Sequence, residues 1–233
     1  MKSMMICLFL IFTTHAAEPL QKVLFNGQNL SNWLVPKNNT WWTVKENLLI
    51  CKSGLKKKGS TLWTKANYEN FVMQLDFKMI KGTVDSGIFL RNDDQIQIGI
   101  SGSLKRDMTS SPYIPGKGYP KESVDVKGLL NVKGWNTMKV KALGNIYTIW
   151  LNGQKVNEYK SETAIVKGPI GLQLHAGRNM EIHFKNILLS QIFAAEKISV
   201  SKFVENPDVV NPVTITFDYQ GRAYIGGTIR RRS

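Results

Sequence analysis

The pattern of hydrophobic and polar positions predicts β-strands along most of the chain. It is clearest in segment 71–79, where every second residue is apolar: Phe71, Met73, Leu75, Phe77 and Met79. A period of two is that of a strand with one buried face. The same kind of reading predicts strands at 86–91, 95–101, 135–141, 146–151, 154–159, 170–176 and 180–189. No segment shows a helical period of useful length.

Turn residues separate these strands at short intervals. Gly144-Asn145 and Asn152-Gly153 lie between consecutive predicted strands, and the second pair is a strong two-residue hairpin signal. Short strands with regular turns are typical of an antiparallel sandwich or barrel, so we expect an all-β protein. Segment 101–127 is instead a long loop rich in proline and glycine, and its Tyr113 and Tyr119 are candidates to line a pocket.

The two ends of the chain differ from its middle. Residues 1–17 have the layout of a secretory signal peptide, with Lys2, an apolar run at 4–12 and small residues before the expected cleavage. The run is too short to span a bilayer, and we expect an exported protein, periplasmic or secreted. A buried N-terminal strand is the alternative. The main domain should cover 18–192, and 193–233 should form a linker and a β-hairpin with strands at 213–218 and 222–225.

Charge and cysteine content change this picture only slightly. The formal net charge is +14, which makes nucleic acid the first partner to consider. We expect no nucleic-acid partner, because the basic residues are scattered and the one dense run, Lys56-Lys57-Lys58, lies among turn residues. The charge would suit an anionic matrix or cell surface. Without the leader, Cys51 is left as a single thiol in an apolar run, where it should be buried and unable to form an internal disulfide.

Strand periodicity also groups polar side chains on shared faces. Gln95 and Gln97 should face away from the isoleucines of their strand, and Gln173 and His175 should do so in segment 170–176. If 177–179 is a hairpin loop, His175 lies opposite Glu181. A carboxylate beside an imidazole suits general acid or base catalysis. The alternative is the ordinary polar outer face of a sheet.

Other motifs are less informative. Arg91 ends a predicted strand and could bind an oxyanion or simply be a charge at the rim, and Asp85 precedes a Ser-Gly pair typical of a turn. The sequence contains no zinc-ligand spacing, no nucleophile elbow and no phosphate-binding glycine loop.

A set of motifs in a fixed order covers residues 23 to 190. They include Leu24-Phe25-Asn26-Gly27, Tyr68-Glu69-Asn70-Phe71, Asp85-Ser86-Gly87, Trp135-Asn136, Leu151-Asn152-Gly153 and Gly168-Pro169-Ile170-Gly171. Together they resemble the 3-keto-disaccharide hydrolase domain family. The resemblance implies a concanavalin-like jelly-roll β-sandwich that binds carbohydrate on one sheet.

The resemblance also implies a reaction: cleavage of a glycoside already oxidised at C3, by removal of the C2 proton, elimination of the C1 substituent and addition of water. His175 would then be the base or acid, Glu181 would orient it, and Arg91 would stabilise the enolate oxygen. The candidate substrate-binding residues are Gln97, Gln173, Asp85, Tyr113 and Trp135. A divalent metal is compatible with the family, but the sequence offers no convincing ligand set, so the cofactor stays open.

Two features modify this expectation. The family usually has a carboxylate where this chain has Gln95, and an amide cannot act as a base, so a non-catalytic carbohydrate-binding module or a surface adhesion domain is the alternative function. Residues 211–225 resemble the first strands of a sugar-dehydrogenase-like β-propeller, which implies fusion to or association with a sugar-oxidising enzyme.

Overall fold

The computed structural model describes residues 21–91, 93–193, 212–217 and 223–227. The predicted signal peptide lies outside these residues. The elements in chain order are β1 (Gln21–Val23), β2 (Trp33–Leu34), β3 (Trp42–Lys45), β4 (Leu48–Lys52), β5 (Ser60–Thr64), β6 (Phe71–Gly82), β7 (Asp85–Leu90), β8 (Gln95–Gly99), β9 (Pro112–Tyr113), α1 (Val126–Leu129), β10 (Asn136–Leu143), β11 (Ile146–Leu151), β12 (Gln154–Lys160), β13 (Ile170–Leu174), β14 (Met180–Gln191), β15 (Pro212–Phe217) and β16 (Ala223–Gly227).

Two antiparallel sheets form the main body of the molecule. The larger has eight strands in the order β12-β11-β10-β6-β14-β4-β3, with β1 paired to β14 outside this path. The smaller has six strands in the order β2-β5-β13-β7-β8-β9. Apolar side chains of both sheets belong to a single core cluster. The predicted all-β antiparallel sandwich is therefore confirmed.

The core follows the alternation that the sequence predicts. In β6, Phe71, Met73, Leu75 and Phe77 are buried, and the residues between them are partly exposed. The same period buries alternate apolar residues in three further strands. These are Ile96 and Ile98 in β8; Ile170, Leu172 and Leu174 in β13; and Met180, Ile182 and Phe184 in β14. Burial of large apolar side chains on both inner faces stabilises the sandwich and fixes which face of each sheet is left for other groups.

The connection after β13 departs from the prediction. We expected residues 177–179 to close a hairpin, but β13 belongs to the six-stranded sheet and β14 to the eight-stranded one. Segment 175–179 therefore carries the chain from one sheet to the other. This correction decides which side chains can surround His175.

The predicted turns are present, and the long loop is only partly irregular. Asn152 and Gly153 both have positive φ, of 49° and 88°, which a two-residue type I′ hairpin turn requires. Within segment 101–127, the short strand β9 adds an edge to the six-stranded sheet beside β8. Tyr113 ends β9 and thereby becomes part of that sheet.

The chain divides into two compact units, Met1–Phe193 and Ala194–Ser233. In the second unit, β15 and β16 pair antiparallel. Within the described residues, no helix has the length and apolar character needed to cross a membrane.

Candidate functional site

The outer side of the six-stranded sheet carries a cluster of hydrogen-bonded polar side chains. We call it the polar face and define it by Asp85, Gln95, Gln97, Gln173, His175 and Arg178. In β8, Ile96 and Ile98 fill the core, so Gln95 and Gln97 point to the other side, as the alternation predicts. In β13, Gln173 lies between the core residues Leu172 and Leu174 in the same way.

Three glutamines on this face are joined through Gln95. Its Nε2 donates to Gln173 Oε1 over 2.9 Å and to the carbonyl oxygen of Ser86 over 3.2 Å. Nε2 also lies 3.4 Å from Gln97 Oε1. The amide of Gln95 thus works as a donor toward three acceptors. A carboxylate at this position could not donate in its ionised form.

Asp85 is the charged centre of the polar face. Its side chain is only 3% exposed, and both carboxylate oxygens accept hydrogen bonds. Gln97 Nε2 donates to Oδ1 over 2.9 Å, and Arg178 Nε donates to Oδ2 over 3.1 Å. A buried carboxylate needs such donors to remain ionised, and the guanidinium compensates its charge.

His175 stands next to this carboxylate and remains accessible. Its Nδ1 is 2.6 Å from the carbonyl oxygen of Ala176 and 3.9 Å from Asp85 Oδ2. Both neighbours are acceptors, which assigns the proton of the neutral ring to Nδ1 and leaves a lone pair on Nε2. The side chain is 44% exposed, so a ligand can reach it. These features suit an imidazole that accepts a proton from a bound molecule.

Two glycines make room for larger side chains on the polar face. A Cβ at Gly87 would collide with the side-chain amide of Gln95, which lies across β7 at this point. A Cβ at Gly171 would lie 2.7 Å from two ring carbons of Trp63, which therefore packs flat over β13. The small residues at these two positions are required by this close packing.

Aromatic side chains and a cleft adjoin the polar face. Trp63 and Phe89 stack with ring centroids 5.3 Å apart, and Tyr113 and Tyr119 meet edge to face at 5.2 Å. Burial raises the pKa of Tyr119, which keeps its phenol protonated. A cleft of about 650 Å³ opens at His175, and its other lining residues include Pro36, Trp41, Thr61, Trp63 and Gln173. Flat aromatic surfaces beside hydrogen-bonding amides are suited to an amphipathic ligand.

Arg91 lies away from the polar face, which corrects its predicted role. The residue is buried and has a φ of 65°. Its guanidinium donates from Nη1 to the carbonyl oxygens of Glu69 and Val166 and from Nη2 to that of Gly144. Its hydrogen bonds therefore fix loops around the end of β7 rather than reaching a ligand.

Glu181 and Trp135 are also not part of the polar face. Because β14 belongs to the other sheet, Glu181 pairs with His183 at 2.8 Å and Lys52 at 3.0 Å rather than with His175. The Lys52 hydrogen bond lowers the pKa of Glu181. Trp135 precedes β10 and lies under the ammonium of Lys185, a residue of β14. The carboxylate that adjoins His175 is that of Asp85.

The residues of the polar face do not suit a metal ion. Across the described residues there is no group of three or more His, Cys, Asp and Glu side chains that could hold one. Both oxygens of Asp85 already accept from N–H groups, and Nδ1 of His175 faces a carbonyl oxygen. We therefore assign no chemical step to a metal.

The structure brings together five of the eight predicted site residues: Asp85, Gln97, Gln173 and His175 directly, and Tyr113 opposite Gln95 on the neighbouring strand. Sequence reasoning missed Arg178, because segment 177–179 was expected to be a hairpin loop. It also missed Trp63 and Phe89, although their alternation with the buried Leu62 and Leu90 could have placed them on an outer face.

Comparison with solved structures supports the sandwich fold. A Parabacteroides distasonis protein, provisionally described as a glycosyl hydrolase, superimposes with a TM-score of 0.57 at 25% identity, over 74% of this chain and 100% of that one. Bacillus licheniformis β-glucanase superimposes with a TM-score of 0.54 at 14% identity, over 76% of this chain and 100% of the glucanase, which is a likeness of fold alone. A search among curated protein sequences gave no match.

The sequence itself matches a known domain family. Residues 21–190 match the family described as the 3-keto-alpha-glucoside-1,2-lyase-like domain. This range covers more than half of the chain and contains the whole polar face. It agrees with the resemblance seen between residues 23 and 190, whereas the resemblance of the tail to a propeller stays a prediction. The chain therefore belongs to the family of 3-keto-alpha-glucoside-1,2-lyase-like domains.

Proposed function

We propose that this protein cleaves glycosides that carry a ketone at C3, by proton abstraction from C2 and elimination of the C1 substituent. The observation that supports this most directly is His175, an accessible imidazole with Nδ1 directed at acceptors, beside Asp85 and Arg178. Membership of a 1,2-lyase-like family supports the same choice of reaction. The alternative of general glycoside hydrolysis would need two opposed carboxylates, whereas the polar face is built around one.

The first step is removal of the proton on C2, which the neighbouring ketone makes acidic. Nε2 of His175 accepts this proton, and the ring becomes an imidazolium. Asp85 Oδ2, 3.9 Å from Nδ1, stabilises that positive charge. The C2–H electron pair moves into the C2–C3 bond, and the carbonyl oxygen at C3 becomes an enolate.

The enolate oxygen needs a positive or hydrogen-bonding neighbour. Arg178 and His175 both adjoin Asp85 Oδ2, and Arg178 uses Nε for that contact. Its terminal nitrogens supply further N–H donors for the oxyanion. Arg178 therefore takes the role that the sequence had suggested for Arg91.

Elimination completes the lyase reaction. The enolate pair returns to re-form the C3 carbonyl, a C1–C2 double bond forms, and the C1–O bond breaks. The leaving oxygen takes a proton, for which the His175 imidazolium is the available acid, and departs as an alcohol. The product is a 2-hydroxy-3-keto-glycal, and addition of water at C1 would turn the net reaction into hydrolysis.

The remainder of the polar face would bind the sugar. Gln173, which lines the cleft, supplies its amide for sugar hydroxyls, and the buried Gln97 holds Asp85 through a hydrogen bond. Trp63 with Phe89 offers an apolar surface for the C–H side of a pyranose ring. A Cα spacing of about 13 Å separates Gly171, under Trp63, from His175 along β13. That length accommodates more than one sugar ring, which favours a disaccharide or a longer glycoside.

A non-catalytic carbohydrate-binding module is the second candidate. The observation that favours it is Gln95, an amide donor at the centre of the glutamine network where the family usually has an acid. The proposed reaction does not require a carboxylate at this position, because the base is His175. Binding alone would use the same aromatic and amide groups.

The deciding experiment measures release of the aglycone from the glycoside. The full chain is incubated with a 3-keto-glucoside bearing a chromogenic leaving group and with the same glucoside lacking the ketone. We expect release only from the keto compound, with a glycal product visible by its conjugated carbonyl absorbance. Binding of both compounds without release from either would establish the binding module instead.

Export remains part of the proposal and rests on residues 1–17. Fractionation of cells that express the full gene tests it: we expect a shortened chain outside the cytoplasm. An uncleaved chain in the cytoplasmic fraction would contradict export and would leave the proposed reaction unaffected.

A further inference from the structure

A group of lysines lies on the outer side of the eight-stranded sheet, across the sandwich from the polar face. We call this surface the lysine face and define it by Lys78 on β6, Lys139 and Lys141 on β10, and Lys185 on β14, with Trp135 and Trp150. β10, β6 and β14 are neighbours within the sheet. The four lysines alternate with core residues, so the pleat directs them all to the same side.

The four lysines are clustered on one side of the sheet, and none of them has an acidic partner within ion-pair distance in the part of the chain that the structure describes. Among the described residues, Lys52, Lys117 and Lys155 form ion pairs with glutamates, whereas no ion pair involves any member of the lysine face. The same strands contain two acidic residues. Asp76, opposite Lys185 in the pairing of β6 with β14, accepts hydrogen bonds from Thr137 Oγ1 at 2.6 Å and Asn186 Nδ2 at 2.7 Å. Glu181 pairs with Lys52 and His183. The positive charge of the face is therefore left largely uncompensated by ion pairing.

Two of the ammonium groups are held in place by tryptophans. Lys139 Nζ lies 4.4 Å from the centroid of the Trp150 ring, and Lys185 Nζ lies 4.3 Å from that of Trp135. Cation–π contacts of this kind restrict a long side chain while leaving its charge intact. Binding of a ligand to such restrained ammonium groups costs less lysine side-chain entropy than binding to freely moving lysines.

The spacing of the charges suits a chain-like anion. Lys139 and Lys141 are two residues apart on one strand, about 7 Å, and β10 is separated from β14 by about 10 Å across β6. Like charges at these distances repel each other, and a polyanion that binds several of them at once relieves that repulsion. The strands concerned lie inside the sheet, so the surface has no projecting edge at this point.

We propose that the lysine face binds an acidic polysaccharide, a linear chain of sugars with carboxylate or sulfate groups, laid across β10, β6 and β14. A single-stranded nucleic acid is a poorer fit, because its bases need open aromatic faces, and both tryptophans are in contact with lysine ammonium groups. Bound in this way, the protein is retained on an anionic matrix while the polar face stays open. This inference does not depend on the proposed lyase reaction.

The test measures affinity of the full chain for heparin and for polygalacturonate across a series of salt concentrations, with neutral dextran for comparison. The quadruple variant removes the four positive charges of the lysine face: Lys78→Gln/Lys139→Gln/Lys141→Gln/Lys185→Gln. We expect its affinity for the acidic polymers to fall at least about tenfold, with a shallower dependence on salt, because fewer ions are displaced. Single Lys141→Gln and Lys139→Gln variants give intermediate losses if the quadruple variant does not fold.

A matched control removes the same charge from exposed lysines elsewhere: Lys65→Gln/Lys127→Gln/Lys133→Gln/Lys167→Gln. We expect this control to retain affinity within about threefold. Equal losses in both quadruple variants would overturn the proposal, since net charge alone would then explain binding. Stronger binding to phosphatidylserine vesicles or to a single-stranded oligonucleotide than to either polysaccharide would also overturn it. Cleavage of a 3-keto-glycoside is measured separately and should not change.

Discussion

Arg178 Nε donates a hydrogen bond to Asp85 Oδ2 over 3.1 Å, and this contact joins the segment between the sheets to the first residue of β7. The same carboxylate oxygen is 3.9 Å from His175 Nδ1. One buried carboxylate thus positions both a guanidinium and an imidazole on the polar face. Its substitution should affect both groups, whereas substitution of either partner should affect only one function.

The two described histidines provide a matched pair for testing the base. His175→Gln removes the proposed proton acceptor, and we expect kcat for 3-keto-glycoside cleavage to fall by about 100-fold or more. His183→Gln alters the histidine beside Glu181 on the other sheet and should leave kcat unchanged. The assay is initial-rate release of a chromogenic aglycone. Full activity of His175→Gln would remove this residue from the mechanism.

Substitution of Arg178 should affect catalysis, whereas substitution of Arg91 should affect stability. Arg178→Gln removes the proposed enolate-stabilising cation, so kcat should fall by about 100-fold while KM changes little. Arg91→Gln breaks hydrogen bonds from a buried guanidinium to three backbone carbonyl oxygens and should lower the free energy of unfolding by about 3 kcal/mol, without a specific effect on kcat. Urea denaturation and steady-state kinetics on both variants decide between these roles. A larger loss of kcat at constant stability for Arg91→Gln would reverse the assignment.

The fold could be predicted largely from the sequence because burial on one side of a sheet leaves a period of two. Phe71, Met73, Leu75 and Phe77 show that period, and it also placed Gln95, Gln97 and Gln173 away from the core. The order of strands within the sheets could not be read in this way. A turn signal such as Gly177 ends a strand whether the chain returns to the same sheet or crosses to the other.

That ambiguity explains the main errors in the predicted site. His175 and Glu181 are only six residues apart, but the crossing segment places them on opposite sheets. The resemblance implied that Arg91 stabilises the enolate oxygen, and a single arginine in a sequence carries no signal of the carbonyl groups that will surround it. Those carbonyls belong to Glu69, Gly144 and Val166, which are distant in sequence and depend on tertiary packing.

Gln95→Glu tests whether the unusual amide weakens or supports function. The native Nε2 donates to the Ser86 carbonyl and to Gln173 Oε1, so an ionised glutamate would place a charged acceptor against two acceptors. We expect the free energy of unfolding to fall by about 1–3 kcal/mol and cleavage to decrease. Gln97→Glu has the same change of charge next to Asp85 and serves for comparison. An increase in cleavage by Gln95→Glu would show that a carboxylate is needed there.

Glu181 should contribute to stability only above acidic pH. The Lys52 hydrogen bond, with a smaller contribution from His183, lowers its pKa in the folded state. A lowered folded pKa gives stability that is present above the unfolded value of about 4.3 and is lost as pH falls through the folded pKa. Glu181→Gln should therefore cost about 0.5 kcal/mol near pH 7, a small value because Lys52 is exposed, and nothing near pH 2. Urea unfolding at both pH values measures the difference, and a constant difference would exclude titration of Glu181 as its cause.

Gly171→Ala tests the role of the aromatic surface formed by Trp63 and Phe89, because Gly171 lies under the Trp63 ring. The new Cβ would lie 2.7 Å from the Trp63 ring, so the ring must tilt away from β13 and lose its stacking on Phe89. We expect the free energy of unfolding to fall by about 1–2 kcal/mol and affinity for a disaccharide to fall about tenfold. Gly128→Ala, where a Cβ would meet nothing within 4 Å, is the control and should change neither quantity appreciably.

The double variant Gly171→Ala/Trp63→Ala shows whether the effect of the glycine acts through the tryptophan. Trp63→Ala removes the ring, so adding Gly171→Ala should cost almost no further affinity, and the two single losses should be far from additive. Calorimetric titration of all three variants and the native chain with one disaccharide completes the cycle. Additive losses would mean that Gly171 shapes the polar face by a route other than Trp63, and the proposed sugar platform would then have to be placed elsewhere along β13.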